Sequence, residues 1–182
     1  MKTGTRMRGA FAVLIVGVLA ACASMLPNAW EIPLSQLQST LARRLPLENR
    51  YLGLFDVRLE NPRLTIAGSR LGLALDTSIK PAMLPNAWRG NFALSGVPRL
   101  DMDKRAVLLS QVQVDRLAVD GLPTAYAGQL TSLGNALAQR FASAVPIYTF
   151  STPEFQVAGT RLLPTNIKTG NNGLVVSFEP VR

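Results

Sequence analysis

PTAYAGQLTSLGNALAQRFASA, residues 123–144, is the stretch whose surroundings decide the fold. Tyr126, Leu130, Leu133, Leu137, Phe141 and Ala144 recur at helical spacing and predict an amphipathic helix. The opposite face holds Gln129, Thr131, Ser132, Asn135 and Gln139, and Arg140 is the single charged residue of the segment. A helix facing water ordinarily offers Lys and Glu, so a face of small neutral polar groups predicts a helix half enclosed by protein. Gly128 and Gly134 point the same way. Each costs about 1 kcal/mol relative to Ala within a helix, a cost easier to bear where another part of the chain comes close.

Enclosure needs a sheet that bends, and the segment just upstream supplies one. Across residues 106–120, Val112 and Val114 share one phase while Leu117 and Val119 occupy the other. The apolar face therefore switches near Asp115, which predicts a β-bulge or strong twist. Other period-two rows are Phe55, Val57 and Leu59, then Leu64 and Ile66 beyond Asn61-Pro62, then Leu71, Leu73 and Leu75, then Trp88, Gly90, Phe92 and Leu94. Leu34, Leu37, Leu41 and Leu45 form a second, N-terminal amphipathic helix, with Pro33 suited to its first turn and Arg43 and Arg44 near its end. The C-terminal part adds a short strand over residues 145–150, a break at Ser151-Thr152-Pro153, and a hairpin turning at Gly170-Asn171-Asn172-Gly173. The expected fold is α+β: a single domain over residues 30–182 in which a curved antiparallel sheet wraps a long helix.

The N-terminus reads as an address. Lys2, Arg6 and Arg8 precede an apolar run from Ala10 to Ala21, too short for a helix across a hydrocarbon core of roughly 30 Å, so residues 1–21 read as an export leader. The leader ends in Leu19-Ala20-Ala21-Cys22, which resembles the lipobox of bacterial lipoproteins and makes Cys22 the expected lipidation site. Cys22 is also the only cysteine, which excludes an intramolecular disulfide. Resemblance to Gram-negative lipoproteins further implies the periplasmic face of the outer membrane, because Ala23 and Ser24 follow the cysteine where an Asp would retain the protein elsewhere. Residues 22–29 then form a tether. Its extended reach of roughly 25–30 Å keeps Met25, Leu26 and Trp30 near the bilayer, and Trp30 either rests at the interface or opens the first strand.

The segment MLPNAW occurs at residues 25–30 and again at 83–88, yet the flanks differ and no third copy follows, so no domain duplication is implied. Both copies read as a Pro-Asn turn delivering a Trp.

Charge narrows the function classes. The chain carries 19 basic and 11 acidic residues; Lys2, Arg6 and Arg8 depart with the leader, and the remaining cations are scattered rather than striped. No nucleic-acid partner is expected. Histidine is absent, which removes the commonest general base and metal ligand, and neither G-x-S-x-G, S-x-x-K nor a glycine-rich phosphate loop occurs. Asp101 and Asp103 read as turn charges rather than a metal site. The expectation is a non-enzyme without catalytic residues, metal or cofactor.

The order of parts resembles the YceB-like periplasmic lipoproteins, a domain family without an assigned activity. The resemblance rests on the lipobox at Leu19 to Cys22, the segment IPLSQLQSTLARRLP, the strand pair RYLGLFDVRLENPRL, VLLSQVQVDRLAVDGLP leading into the helix, and the closing NIKTGNNGLVVSFEP. It implies a tubular lipid-binding (TULIP-like) architecture with an apolar groove, and transfers no site residues. Two functions follow. In one, Phe92, Leu94, Val112, Val114, Leu130, Leu133, Leu137 and Phe141 line a groove for a lipid or other hydrophobic ligand. In the other the same residues fill a closed core, and the lipoprotein serves as an envelope scaffold with a protein partner.

Overall fold

The structure, a computed structural model, describes residues 29–151, 156–157 and 160–180. In chain order it contains β1 (Ala29–Pro33), α1 (Leu34–Ala42), β2 (Leu47–Tyr51), β3 (Phe55–Ala67), β4 (Arg70–Pro81), β5 (Trp88–Asp101), β6 (Ala106–Val119), α2 (Ala127–Ser143), β7 (Tyr148–Thr149), β8 (Gln156–Val157), β9 (Thr160–Thr169) and β10 (Gly173–Pro180). A 3-10 turn at Thr124–Tyr126 leads into α2. All pairings are antiparallel. They build a six-stranded sheet in the order β2-β3-β4-β5-β6-β7 and a four-stranded sheet in the order β1-β10-β9-β8.

Period-two alternation sends one row of each strand inward. Phe55, Val57 and Leu59 of β3, Leu71, Leu73, Leu75 and Ile79 of β4, and Phe92 and Leu94 of β5 are buried in one apolar cluster with Leu37 and Leu41 of α1 and Leu174, Val176 and Phe178 of β10. The outward rows carry ion pairs, across strands between Arg50 and Asp56 at 2.8 Å, Arg63 and Asp76 at 2.6 Å, and Arg58 and Glu48, and within β3 between Arg58 and Glu60. All are solvent-exposed, so each contributes only about 0–1 kcal/mol. The fold rests on the inner rows.

The bulge expected near Asp115 is present. Leu94 pairs with Val114 while Ala93 pairs with Arg116, leaving Asp115 as the extra residue and returning Leu117 and Val119 to the inner face. A second irregularity lies between Ser95 and Val97, where Gln111 adopts a φ of 47°. Arg70 braces both: its Nη2 donates to the carbonyls of Ser95 and Gln111, each at 2.9 Å, and Ser95 Oγ donates to Asp115 Oδ1 at 3.0 Å. The α1 expectation holds in part: Leu37 and Leu41 are buried, but Pro33 is the extended N-cap rather than a first-turn residue, and the helix stops at Ala42, leaving Arg43, Arg44 and Leu45 beyond it. The hairpin is as expected, and its turn closes with Gly170 N donating to Gly173 O at 2.8 Å. The strand expected over residues 145–150 is shorter, pairing only at Tyr148 and Thr149.

The architecture as a whole differs from the expectation. Among the described residues strand accounts for 57 % and helix for 20 %, so this is a predominantly antiparallel β structure, and no long helix wrapped by a sheet occurs among them. Helix α2 has 17 residues, a length of about 26 Å at 1.5 Å per residue, and it packs chiefly against one strand, β6. Its neutral polar face is open to solvent: Gln129, Thr131, Ser132, Asn135 and Gln139 are all exposed. The reason lies in the side chains. Thr131 Oγ1 donates to Ala127 O at 3.4 Å, Ser132 Oγ to Gly128 O at 3.3 Å, and Ser143 Oγ to Gln139 O at 2.8 Å. Short hydroxyls satisfy themselves on the preceding turn of their own helix, so a charge-poor face needs no protein wall.

Candidate functional site

Helix α2 begins beside Trp88, whose ring lies 5.3 Å from that of Tyr126, and ends where Lys104 Nζ donates to Ser143 O at 2.7 Å. It therefore runs along the length of β6, from the β4–β5 end of the large sheet to the β5–β6 turn. That seam separates the expected ligand residues into two groups. Phe92, Leu94, Leu133, Leu137 and Phe141 are at most 1 % exposed, and the rings of Phe92 and Phe141 sit 6.4 Å apart. They are packed interior. Val112, Val114 and Leu130 are half-buried, and two of them border an opening.

The opening is a cleft of about 180 Å³ lined by Val114, Leu117, Leu130, Thr131, Gly134 and Asn135. It exists because α2 has no side chain at Gly134, where a Cβ would meet Leu117 Cδ2 at 3.3 Å and the Val114 methyls at 3.9 Å. Strand β6 adds an open edge, since β7 pairs only with Ala106 and Val107, leaving residues 108–119 without a ladder partner on that side among the described strands. At this volume, below the roughly 300–1,000 Å³ of compact small-molecule pockets, the cleft suits a section of extended chain rather than a bulky ligand. Larger depressions lie elsewhere: one of about 720 Å³ between α1 and β3, floored by Pro62 and rimmed by Gln38 and Arg63, and one of about 410 Å³ over the ion-paired outer face.

Charge near the helix is sparse. Arg140 has no ion-pair partner among the described residues, and its Nε is buried without a hydrogen bond. Burial pushes the Tyr51 hydroxyl above its usual pKa of 10.0, and the nearby Arg140 cation opposes that shift. On the outer face the Arg50 guanidinium holds the Asp56 carboxyl below its usual range, and Arg63, helped by Asn61, does the same for Asp76. Ser95 Oγ donates to Asp115 Oδ1 and accepts from Arg70 Nε at 3.2 Å, so the trio braces the bulge. Asp101 Oδ1 accepts from Lys104 N at 3.0 Å in the β5–β6 turn.

Cys22, Met25 and Leu26 lie outside the described residues. Trp30 belongs to β1, opposite Val176, and is partly buried against the core. Sequence reasoning missed Leu117 and Gly134 as cleft residues, although the phase switch at Asp115 and the cost of Gly134 were their signals. It also missed that Leu52, Leu54, Met83 and Leu84 are exposed.

These features define a predominantly antiparallel β protein with a packed apolar core and, among the described residues, a narrow apolar seam beside α2. The family described as "Protein of unknown function (DUF1439)" matches residues 33–172, from the end of β1 into the β9–β10 turn, and the chain belongs to it. No curated protein matches the chain.

Proposed function

We propose that this chain is an exported lipoprotein, acylated at Cys22 and held on the periplasmic face of the outer membrane, whose domain takes up an acyl chain or similar apolar ligand along the α2–β6 seam. The observation that carries the reading is the cleft beside Gly134, where Val114, Leu117 and Leu130 leave apolar surface open to solvent. The expected leader and lipobox support the address, and the resemblance to YceB-like periplasmic lipoproteins agrees with it. The chemistry is binding, without bond making or breaking.

The test uses mature protein carrying Cys22→Ser behind a cleavable leader, purified from periplasm. Native mass spectrometry with lipid extraction should find acyl species, and Leu130→Arg, at a half-exposed position, should lose at least about tenfold of their binding while keeping a folded circular-dichroism spectrum. Equal retention by the variant would remove the seam from consideration. A second reading, an envelope scaffold, is favoured by the near-complete burial of Phe92, Leu94, Leu133, Leu137 and Phe141. Lipid-free protein that co-purifies with a stoichiometric envelope protein would select it. Cys22→Ser should also move the protein from membrane to soluble fraction, and retention after leader removal would count against lipid anchoring.

A further inference from the structure

The strongest unassigned feature is one end of the six-stranded sheet. Ala82 N donates to Leu54 O at 2.9 Å, so the β2–β3 turn and the β4–β5 connection lie side by side. Between them they expose Leu52 at 52 %, Leu54 at 51 %, Met83 at 94 % and Leu84 at 37 %, four of the six large exposed apolar side chains among the described residues. Sequence explains why none tucks in. Leu52 adopts a φ of 53° and Gly53 one of 66°, a turn that holds both flanking leucines outward, and Met83 and Leu84 precede Pro85-Asn86 in a connection too short to fold back.

We infer that this end is a docking tip for a bilayer surface. Three observations select lipid over protein. The protruding side chains sit on two neighbouring turns, and none of the three depressions described above is lined by any of them; insertion into a fluid phase needs no shape match, whereas a protein partner gains most from pockets. The turn segments 52–54 and 82–87 contain no charged residue, while exposed Lys80 and Arg89 flank them beside Arg50, whose charge is paired with Asp56; the net positive charge left behind the apolar point suits anionic headgroups. Half-buried Trp88 and Tyr126 stand just behind the tip, the depth at which amphipathic rings favour the interface. The docked tip sets the Trp88 and Tyr126 end of the α2–β6 seam at the headgroup layer. The same reading gives the second MLPNAW segment a role: its Met and Leu are the protruding pair. Only the seam's share in this placement rests on the proposed ligand function; the tip stands on its own exposure and charge.

The test uses the full chain reconstituted into vesicles of phosphatidylethanolamine and phosphatidylglycerol. Met83→Cys is labelled with an environment-sensitive fluorophore and compared with Met102→Cys, which lies in the β5–β6 turn at the opposite end of the sheet. The probe at 83 should shift to the blue, lose its quenching by aqueous iodide and be quenched by lipid-borne nitroxide, and the probe at 102 should do none of these. Leu54→Asp in the Met83→Cys chain should return the probe to water, and replacing phosphatidylglycerol by phosphatidylcholine should weaken protection. Equal iodide quenching at 83 and 102 overturns the inference. So does protection at 83 that persists in detergent without lipid and vanishes on dilution, which would make a second copy the occupant. Parent chain, whose only thiol is Cys22, reports the tether separately: uptake of label there shows an unacylated cysteine, and vesicles then receive the chain from solution. Fatty-acid binding to Leu130→Arg is measured apart, so loss of the seam and loss of the tip give different results.

Discussion

Replacing Gly134 with Ala weighs the helix against the seam. In the interior of α2, Gly to Ala gains about 0.8–1.0 kcal/mol of helix propensity. The added methyl would lie 3.3 Å from Leu117 Cδ2 and 3.9 Å from the Val114 methyls, so it meets the free ends of side chains and no backbone. Leu117 is half-buried and its terminal methyl has solvent-side space into which to move a few tenths of an ångström. The crowding term is therefore smaller than the propensity term, and Gly134→Ala should stabilise the domain by about 0.5–1 kcal/mol. With a urea slope of about 1–3 kcal/mol/M for a small domain, the midpoint rises by a few tenths of a molar unit, readable by Trp fluorescence. The same methyl enters the cleft, so affinity for a fluorescent fatty acid should fall even as the midpoint rises. Stability lowered by more than about 1 kcal/mol would mean that α2 lies against a rigid wall, and the open seam would be refuted.

Gly90 and Gly173 give the opposite case. A Cβ at Gly90 would sit 2.0 Å from Ala118 O, and one at Gly173 2.0 Å from Ile32 O; both obstacles are backbone, so either Ala variant should lose several kcal/mol or fail to accumulate, and a neutral effect in urea melts would contradict the β5–β6 and β1–β10 registers. Arg140→Met removes a buried Nε that has no hydrogen-bond partner; stability should rise by about 1 kcal/mol, and a loss of that size would show that the guanidinium is stabilising. Asp56 and Asp76 have folded values held below 3.8, so their contribution is present above that pH and lost as pH falls through the depressed values; Tyr51, raised above 10.0, contributes below pH 10 and ceases to as pH climbs through its folded value. Urea midpoints should thus decline on both flanks, and Tyr51→Phe should shallow the alkaline decline, which an unchanged profile in that variant would disprove.

Local patterns were legible because they depend on neighbours in the chain. Leu37 and Leu41 went inward on a helix, and the phase change between Val114 and Leu117 announced an extra residue that the β5–β6 register contains. The placement of α2 was not legible. Its uncharged face reads in sequence as a sign of shelter, yet Thr131 and Ser132 are exposed and each bonds its own helix, and nothing in a spacing pattern distinguishes a hydroxyl satisfied at i−4 from one satisfied by another strand. Volume was equally hidden: Leu130 and Leu133 have the same phase to the eye, but one edges a cleft and the other is sealed. Gly134 was the informative residue, since its cost prompted the expectation of a close approach; Gly128, which shared that expectation, faces open space.

The pairing of β1 with β10 has a consequence for biogenesis. Among the described strands, Ala29 to Pro33 pairs only with Ser177 to Gly173, about 140 residues further along the sequence. During synthesis from the N-terminus, β1 stays unmatched until the β9–β10 hairpin has emerged. The small sheet therefore closes late, and its completion waits on the most distant pairing among the described strands.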